Sequence, residues 1–140
     1  PFFSAYPSLK AKVSDLGLED QVIFTGFIPD EDLAYLYNAA TLLVVPSLEE
    51  GFGLPAIEAM ACGTPVAASN TGSLPEVLGT VGRYFDPMNS EEMAAVIRSV
   101  LNDEQTRQKM KADGLARSQN FRWKRAAEDT LAIFKELGRS

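Results

Sequence analysis

Leu42-Leu43-Val44-Val45-Pro46-Ser47-Leu48-Glu49-Glu50-Gly51-Phe52-Gly53-Leu54-Pro55-Ala56-Ile57-Glu58 decides the fold of this chain. Its first four residues form a short apolar run containing β-branched side chains, the pattern of a strand buried in a parallel sheet. Pro46 and Ser47 stop that strand. Gly51 and Gly53 give a loop in which backbone can approach a ligand closely. Pro55 suits the first turn of a helix, where its missing N–H would have no intrahelical partner. The loop therefore lies just past the carboxyl end of a strand, where open α/β sheets bind ligands. The N–H groups and positive dipole end of the new helix would face any phosphate held there.

Outward from this stretch, the pattern alternates. Residues 7–16 read as a helix stopped by Gly17, 22–25 as a strand, and Asp30 as the cap of a helix running to Ala39 or Ala40, with Leu33, Leu36 and Tyr37 on one face. Residues 65–68 and 82–85 read as further strands, 54–61 and 74–78 as helices, and 90–101, 103–120 and 123–137 as three closing helices. Alternating units of this kind predict an α/β fold with a Rossmann-like parallel sheet and helices on both faces. Residues 22–25, 42–45 and 65–68 are expected side by side, with Glu50 and Glu58 facing a common cleft at their carboxyl ends.

Composition narrows the function classes. The chain has 140 residues, 46% of them hydrophobic, which fits one domain with a real core. A net charge of −6 argues against a nucleic-acid surface, which needs clustered Lys and Arg. There is no His, so the usual imidazole base and metal ligand are unavailable. Cys62 is the one cysteine, so no internal disulfide can form. No apolar run approaches the length of a transmembrane span, and the N-terminus is not that of a signal peptide; the expected location is cytoplasmic, with membrane association left to a further domain not matched here.

Three segments in order, Pro46 to Pro55, Glu58-Ala59-Met60-Ala61-Cys62-Gly63-Thr64-Pro65-Val66, and Leu74-Pro75-Glu76, resemble the retaining glycosyltransferases of the GT-B fold, group one (family four). The part that matches is their C-terminal, nucleotide-sugar-binding half. The resemblance implies that Glu50 holds a donor-sugar hydroxyl and orients the reacting face. It implies backbone N–H contacts from Phe52, Gly53 and Leu54 to sugar and diphosphate, and a ribose contact from Glu58. Gly26-Phe27-Ile28-Pro29 matches the segment that receives the base, with Ile28 as the contact. The donor would be a UDP-, GDP- or ADP-sugar, a substrate, with no cofactor and no protein-bound metal. Carboxylates suit these roles because they accept hydrogen bonds from two hydroxyls.

In that family the half begins earlier, with a strand, an Arg- and Lys-bearing loop and a second strand, and a separate N-terminal domain binds the acceptor. Neither is matched here, so residues 1–140 are expected to be a partial donor-binding domain, inactive alone. With two glutamates, backbone N–H groups and one helix end facing a diphosphate, millimolar or weaker binding of nucleotide sugar is expected. Two other readings share the architecture: one half of a sugar-nucleotide 2-epimerase, which the lack of His disfavours, and a non-catalytic nucleotide-binding module. Glu49 reads as a solvated charge, Phe52 as packing, Cys62 as a small buried apolar residue and Glu76 as a carboxylate in a helix's first turn. Arg122, Lys124 and Arg125 read as a solvated helix face, and Trp123 as the residue that packs the last helix on the domain.

Overall fold

The computed structural model describes residues 6–138. Residues 1–30 and 31–140 form two units. The first holds α1 (Tyr6–Asp15) followed by a turn and an irregular stretch, in which the Lys10 ammonium lies 5.7 Å from the centre of the Phe24 ring. The second holds a sheet of three parallel strands, β1 (Leu43–Val45), β2 (Val66–Ser69) and β3 (Arg83–Phe85), in that spatial order. Its helices are α2 (Asp30–Ala39), α3 (Leu54–Ala61), α4 (Leu74–Leu78), α5 (Ser90–Leu101), α6 (Glu104–Ser118) and α7 (Trp123–Leu137).

The register explains the layers. Val45 pairs with Ala68, and Ala68 with Tyr84. Side chains at neighbouring positions of parallel strands share a face, so Val45, Val66 and Ala68 point together into the main core with Ile57, Met60, Leu74 and Leu78. Ala67 and Ser69 point the other way and are equally buried, as is Phe85 beside Ser69. A strand with all four residues buried is covered on both faces, which is the α/β arrangement expected from its unbroken apolar run. Met60 of α3 lies against α6, where a Cβ built on Gly114 would stand 3.4 Å from its Cγ.

Two expectations about elements are corrected. Residues 22–25 form no strand, and Ile23 is 86% exposed. β-branched residues favour a strand only where ladder partners and a packed face exist, and this segment has neither. Trp123 does not pack α7 on the domain: it is 85% exposed, and α7 has no buried residue. The apolar face built by Leu131 and Phe134 is real as a pattern, yet both side chains are open to solvent. On α2, where Leu33, Leu36 and Tyr37 were read on one face, Tyr37 is buried and Leu33 partly buried, while Leu36 is 44% exposed. α3, α4, α5 and α7 have the limits read from the sequence, the three strands and α6 are shifted or shortened by one or two residues, and Asp103 caps α6 instead of opening it, its carboxylate accepting from Thr106 N–H at 2.9 Å.

Candidate functional site

The loop after β1 is built from hydroxyl-to-carbonyl contacts. Ser69, at the end of β2, donates its hydroxyl to the Ser47 carbonyl at 2.6 Å, and Thr71 donates to the same oxygen at 3.1 Å. Ser73 donates to the Glu50 carbonyl at 3.3 Å. The loop thus lies across the carboxyl ends of both β1 and β2. Gly72 permits this: a Cβ there would stand 3.0 Å from the Glu50 carbonyl oxygen and 3.1 Å from its nitrogen, with φ at +59°. No other residue type allows both the left-handed conformation and that approach.

The Glu50 side chain is half-buried, and its Oε2 accepts from the Ser47 hydroxyl at 3.2 Å. Gly53 then turns the chain into α3 with φ +88°, and Pro55 occupies its first turn. No side chain caps this helix start. The N–H groups of a helix's first turn lack intrahelical partners, so Gly53 and Leu54 sit where an incoming anion can be met by backbone donors. Glu58 follows on an exposed position of α3. Its Oε2 accepts from the Tyr37 hydroxyl at 3.1 Å. Burial, then the hydrogen bond and charge of Glu58, push the Tyr37 phenol up from 10.0 to about 12, so it remains a donor at any ordinary pH.

A cleft of about 370 Å³ opens here, lined by Phe52, Leu54, Glu58, Phe121, Arg122 and Arg125 among others. Glu50 is not among its lining residues, so the two carboxylates share one loop–helix unit without sharing this cleft wall. Phe52 meets Phe121 edge-on at 6.1 Å, in keeping with a packing role. Arg122, Lys124 and Arg125, read as a solvated helix face, are exposed, and Arg122 and Arg125 also line the cleft beside Glu58. Arg125 is 3.8 Å from Asp129 and Lys124 is 3.9 Å from Glu128, exposed pairs one turn apart. Ile28 is half-buried in the irregular stretch of the first unit. Cys62 is partly exposed at the end of α3, packed against the core as a small apolar residue would be. Among the described residues, no group of three or more His, Cys, Asp or Glu is placed to hold a metal ion. No helix there is long and apolar enough to cross a membrane.

Sequence reasoning missed Tyr37, Ser47, Ser69, Thr71 and Gly72 as parts of this site. Ser47 stands only three residues before Glu50, close enough in the chain for its hydroxyl to reach that carboxylate. Tyr37 had none, since it stands far from Glu58 in the chain.

The family described as Glycosyl transferases group 1 matches residues 6–117. The chain is 44% identical over 119 residues to the O-antigen chain mannosyltransferase B of Escherichia coli, covering 85% of this chain and 31% of that protein. The sucrose-phosphate synthase of Thermosynechococcus elongatus superposes with a TM-score of 0.86 at 36% identity, over 94% of this chain and 34% of that one. Anabaena Alr3699/HepE, solved in complex with UDP, superposes with a TM-score of 0.81 at 30% identity, over 96% of this chain and 37% of that one. The chain therefore spans about a third of the length of these relatives. With its Glu50–Glu58 unit across the ends of parallel strands, the chain belongs to the group 1 glycosyl transferases.

Proposed function

We propose that this chain is the nucleotide-sugar-binding part of a retaining glycosyltransferase, and that a separate N-terminal domain of the same enzyme binds the acceptor. The observation that carries this reading is the loop–helix unit itself. A clamped carboxylate, Glu50, precedes an uncapped helix start at Gly53 and Leu54, and a second carboxylate, Glu58, follows one turn on. Glycosyl transfer from a nucleotide diphosphate sugar develops negative charge on the leaving phosphate and positive charge at the anomeric carbon. The backbone N–H groups of Phe52, Gly53 and Leu54 answer the first need. Glu50 holds a donor-sugar hydroxyl and orients the reacting face. Glu58 holds the ribose hydroxyls, and Ile28 contacts the base. The UDP bound to the Anabaena relative supports a nucleoside diphosphate as the leaving group. The donor is a UDP-, GDP- or ADP-sugar, no cofactor takes part, and the reaction is cytoplasmic.

The arginines of the cleft do not remove the need for further phosphate-holding groups. Both are exposed, and an exposed ion pair contributes about 0.2–1 kcal/mol. The test is calorimetry and turnover with a panel of UDP-, GDP- and ADP-sugars. The enzyme carrying both domains is expected to release nucleoside diphosphate and glycosylate an acceptor. The 140-residue chain is expected to transfer nothing and to bind the same donor at millimolar affinity or weaker. Micromolar binding by the chain alone would show that its phosphate contacts lie within these residues, and hydrolysis or epimerisation in place of transfer would overturn the reading.

A further inference from the structure

We propose that Tyr37 is a positioning residue for Glu58 and Ser47 for Glu50, each donating one scaffold hydroxyl to Oε2 of its carboxylate and leaving Oε1 for a ligand hydroxyl. The inference rests on the roles given to the two glutamates above. A carboxylate only accepts hydrogen bonds, so at 3.1 Å and 3.2 Å the phenol and the serine hydroxyl must be the donors. Tyr37 is fixed from three directions. Its ring is buried in the core with Val45 and Met60, its carbonyl accepts from the buried Thr64 hydroxyl at 2.6 Å, and its hydroxyl meets Glu58 at the surface. Glu58 itself is exposed on α3, where a free glutamate side chain would sample several rotamers. Ser47 is fixed by the Ser69 and Thr71 hydroxyls on its carbonyl, and the loop it anchors is clamped again at the Glu50 carbonyl by Ser73.

The two clamps differ in what they serve. Orienting a side chain before binding removes the ordering cost of that side chain, which corresponds to roughly two- to tenfold in affinity. For Glu58 that gain falls on every ligand containing ribose. For Glu50 it falls on the sugar and hence on the transfer step.

The test uses the complete enzyme that carries this chain, with UDP, GDP and ADP as inhibitors and the best donor as substrate. Tyr37→Phe keeps the ring in the core and removes only the donor. It is expected to raise both the donor KM and the inhibition constant of the best nucleoside diphosphate by roughly two- to tenfold, with a smaller change in kcat. Ser47→Ala is expected to lower kcat with the inhibition constant little changed, and Ser47→Thr, which restores a hydroxyl, to recover part of it. Unfolding midpoints of the variants identify any general loss of structure. An unchanged inhibition constant in Tyr37→Phe overturns the proposal, and so does an equal fall in kcat and nucleotide affinity in both variants. Glu58→Ala separates the two levels. If it too leaves nucleotide affinity unchanged, the ribose role fails; if it weakens affinity while Tyr37→Phe does not, only the positioning role fails.

Discussion

At the scale of single residues, the site depends on groups that approach one another more closely than ordinary side chains allow. Gly72 is the sharpest case. An alanine there meets the Glu50 backbone at 3.0 Å and must also hold φ at +59°. The left-handed conformation alone costs about 1–2 kcal/mol for a residue with a Cβ. Gly72→Ala is therefore expected to lower stability by at least that amount in chemical denaturation and to displace the Glu50 loop, with transfer falling more than nucleotide affinity. Tyr37 gives a pH signature. Its phenol is raised from 10.0 to about 12 in the folded chain, chiefly by burial. The native state keeps that proton after the unfolded chain has lost it. The contribution is fully present below about pH 10 and is lost as pH rises through about 12. Wild-type stability should fall relative to Tyr37→Phe over that window; parallel curves for the two proteins would contradict the assignment.

At the scale of elements, α4 is short and its C-terminal end is held by a side chain from α6. Arg117 donates Nε–H to the Val77 carbonyl and an Nη2–H to the Glu76 carbonyl, two of the last acceptors of that helix. The same guanidinium lies 5.8 Å from the centre of the Phe121 ring, which in turn meets Phe52 of the site loop. A planar fork satisfies two carbonyls at once, which an ammonium on a flexible stem does not reproduce. Arg117→Ala is expected to cost about 1.5–3 kcal/mol in denaturant unfolding, and Arg117→Lys to recover only part. A variant as stable as the parent would show that these contacts carry no net energy.

The same scale shows what was legible in the sequence. β1 and β2 were readable because buried parallel strands are apolar without alternation, and α5 was readable to its limits, whereas the caps that Asn89 and Asp103 place on α5 and α6 are seen in the structure. Residues 22–25 looked the same as β1 in composition and failed as a strand, because ladder partners belong to the tertiary structure and leave no local mark. Trp123 and Phe134 show the converse: helical periodicity is visible in α7, but periodicity does not say what, if anything, covers the face. The glutamate spacing was legible, whereas the phenol that holds Glu58 was not.

At the scale of the whole molecule, a parallel sheet presents one end to a ligand, and the Ser47–Ser73 contacts bring the loops after β1 and β2 together at that end. The proposed division of the donor between the two carboxylates there gives ribose to Glu58 and sugar to Glu50. It is tested most directly by nucleoside diphosphate titration and turnover of Glu58→Ala and Glu50→Ala in the complete enzyme. Losing a hydrogen bond to a charged group costs about 1.5–3 kcal/mol, or roughly tenfold to a hundredfold in affinity. Glu58→Ala is predicted to weaken donor and free nucleoside diphosphate alike by that factor. Glu50→Ala is predicted to depress transfer while nucleoside diphosphate binding stays near the parent value. Equal loss of nucleotide affinity in the two variants would contradict that division.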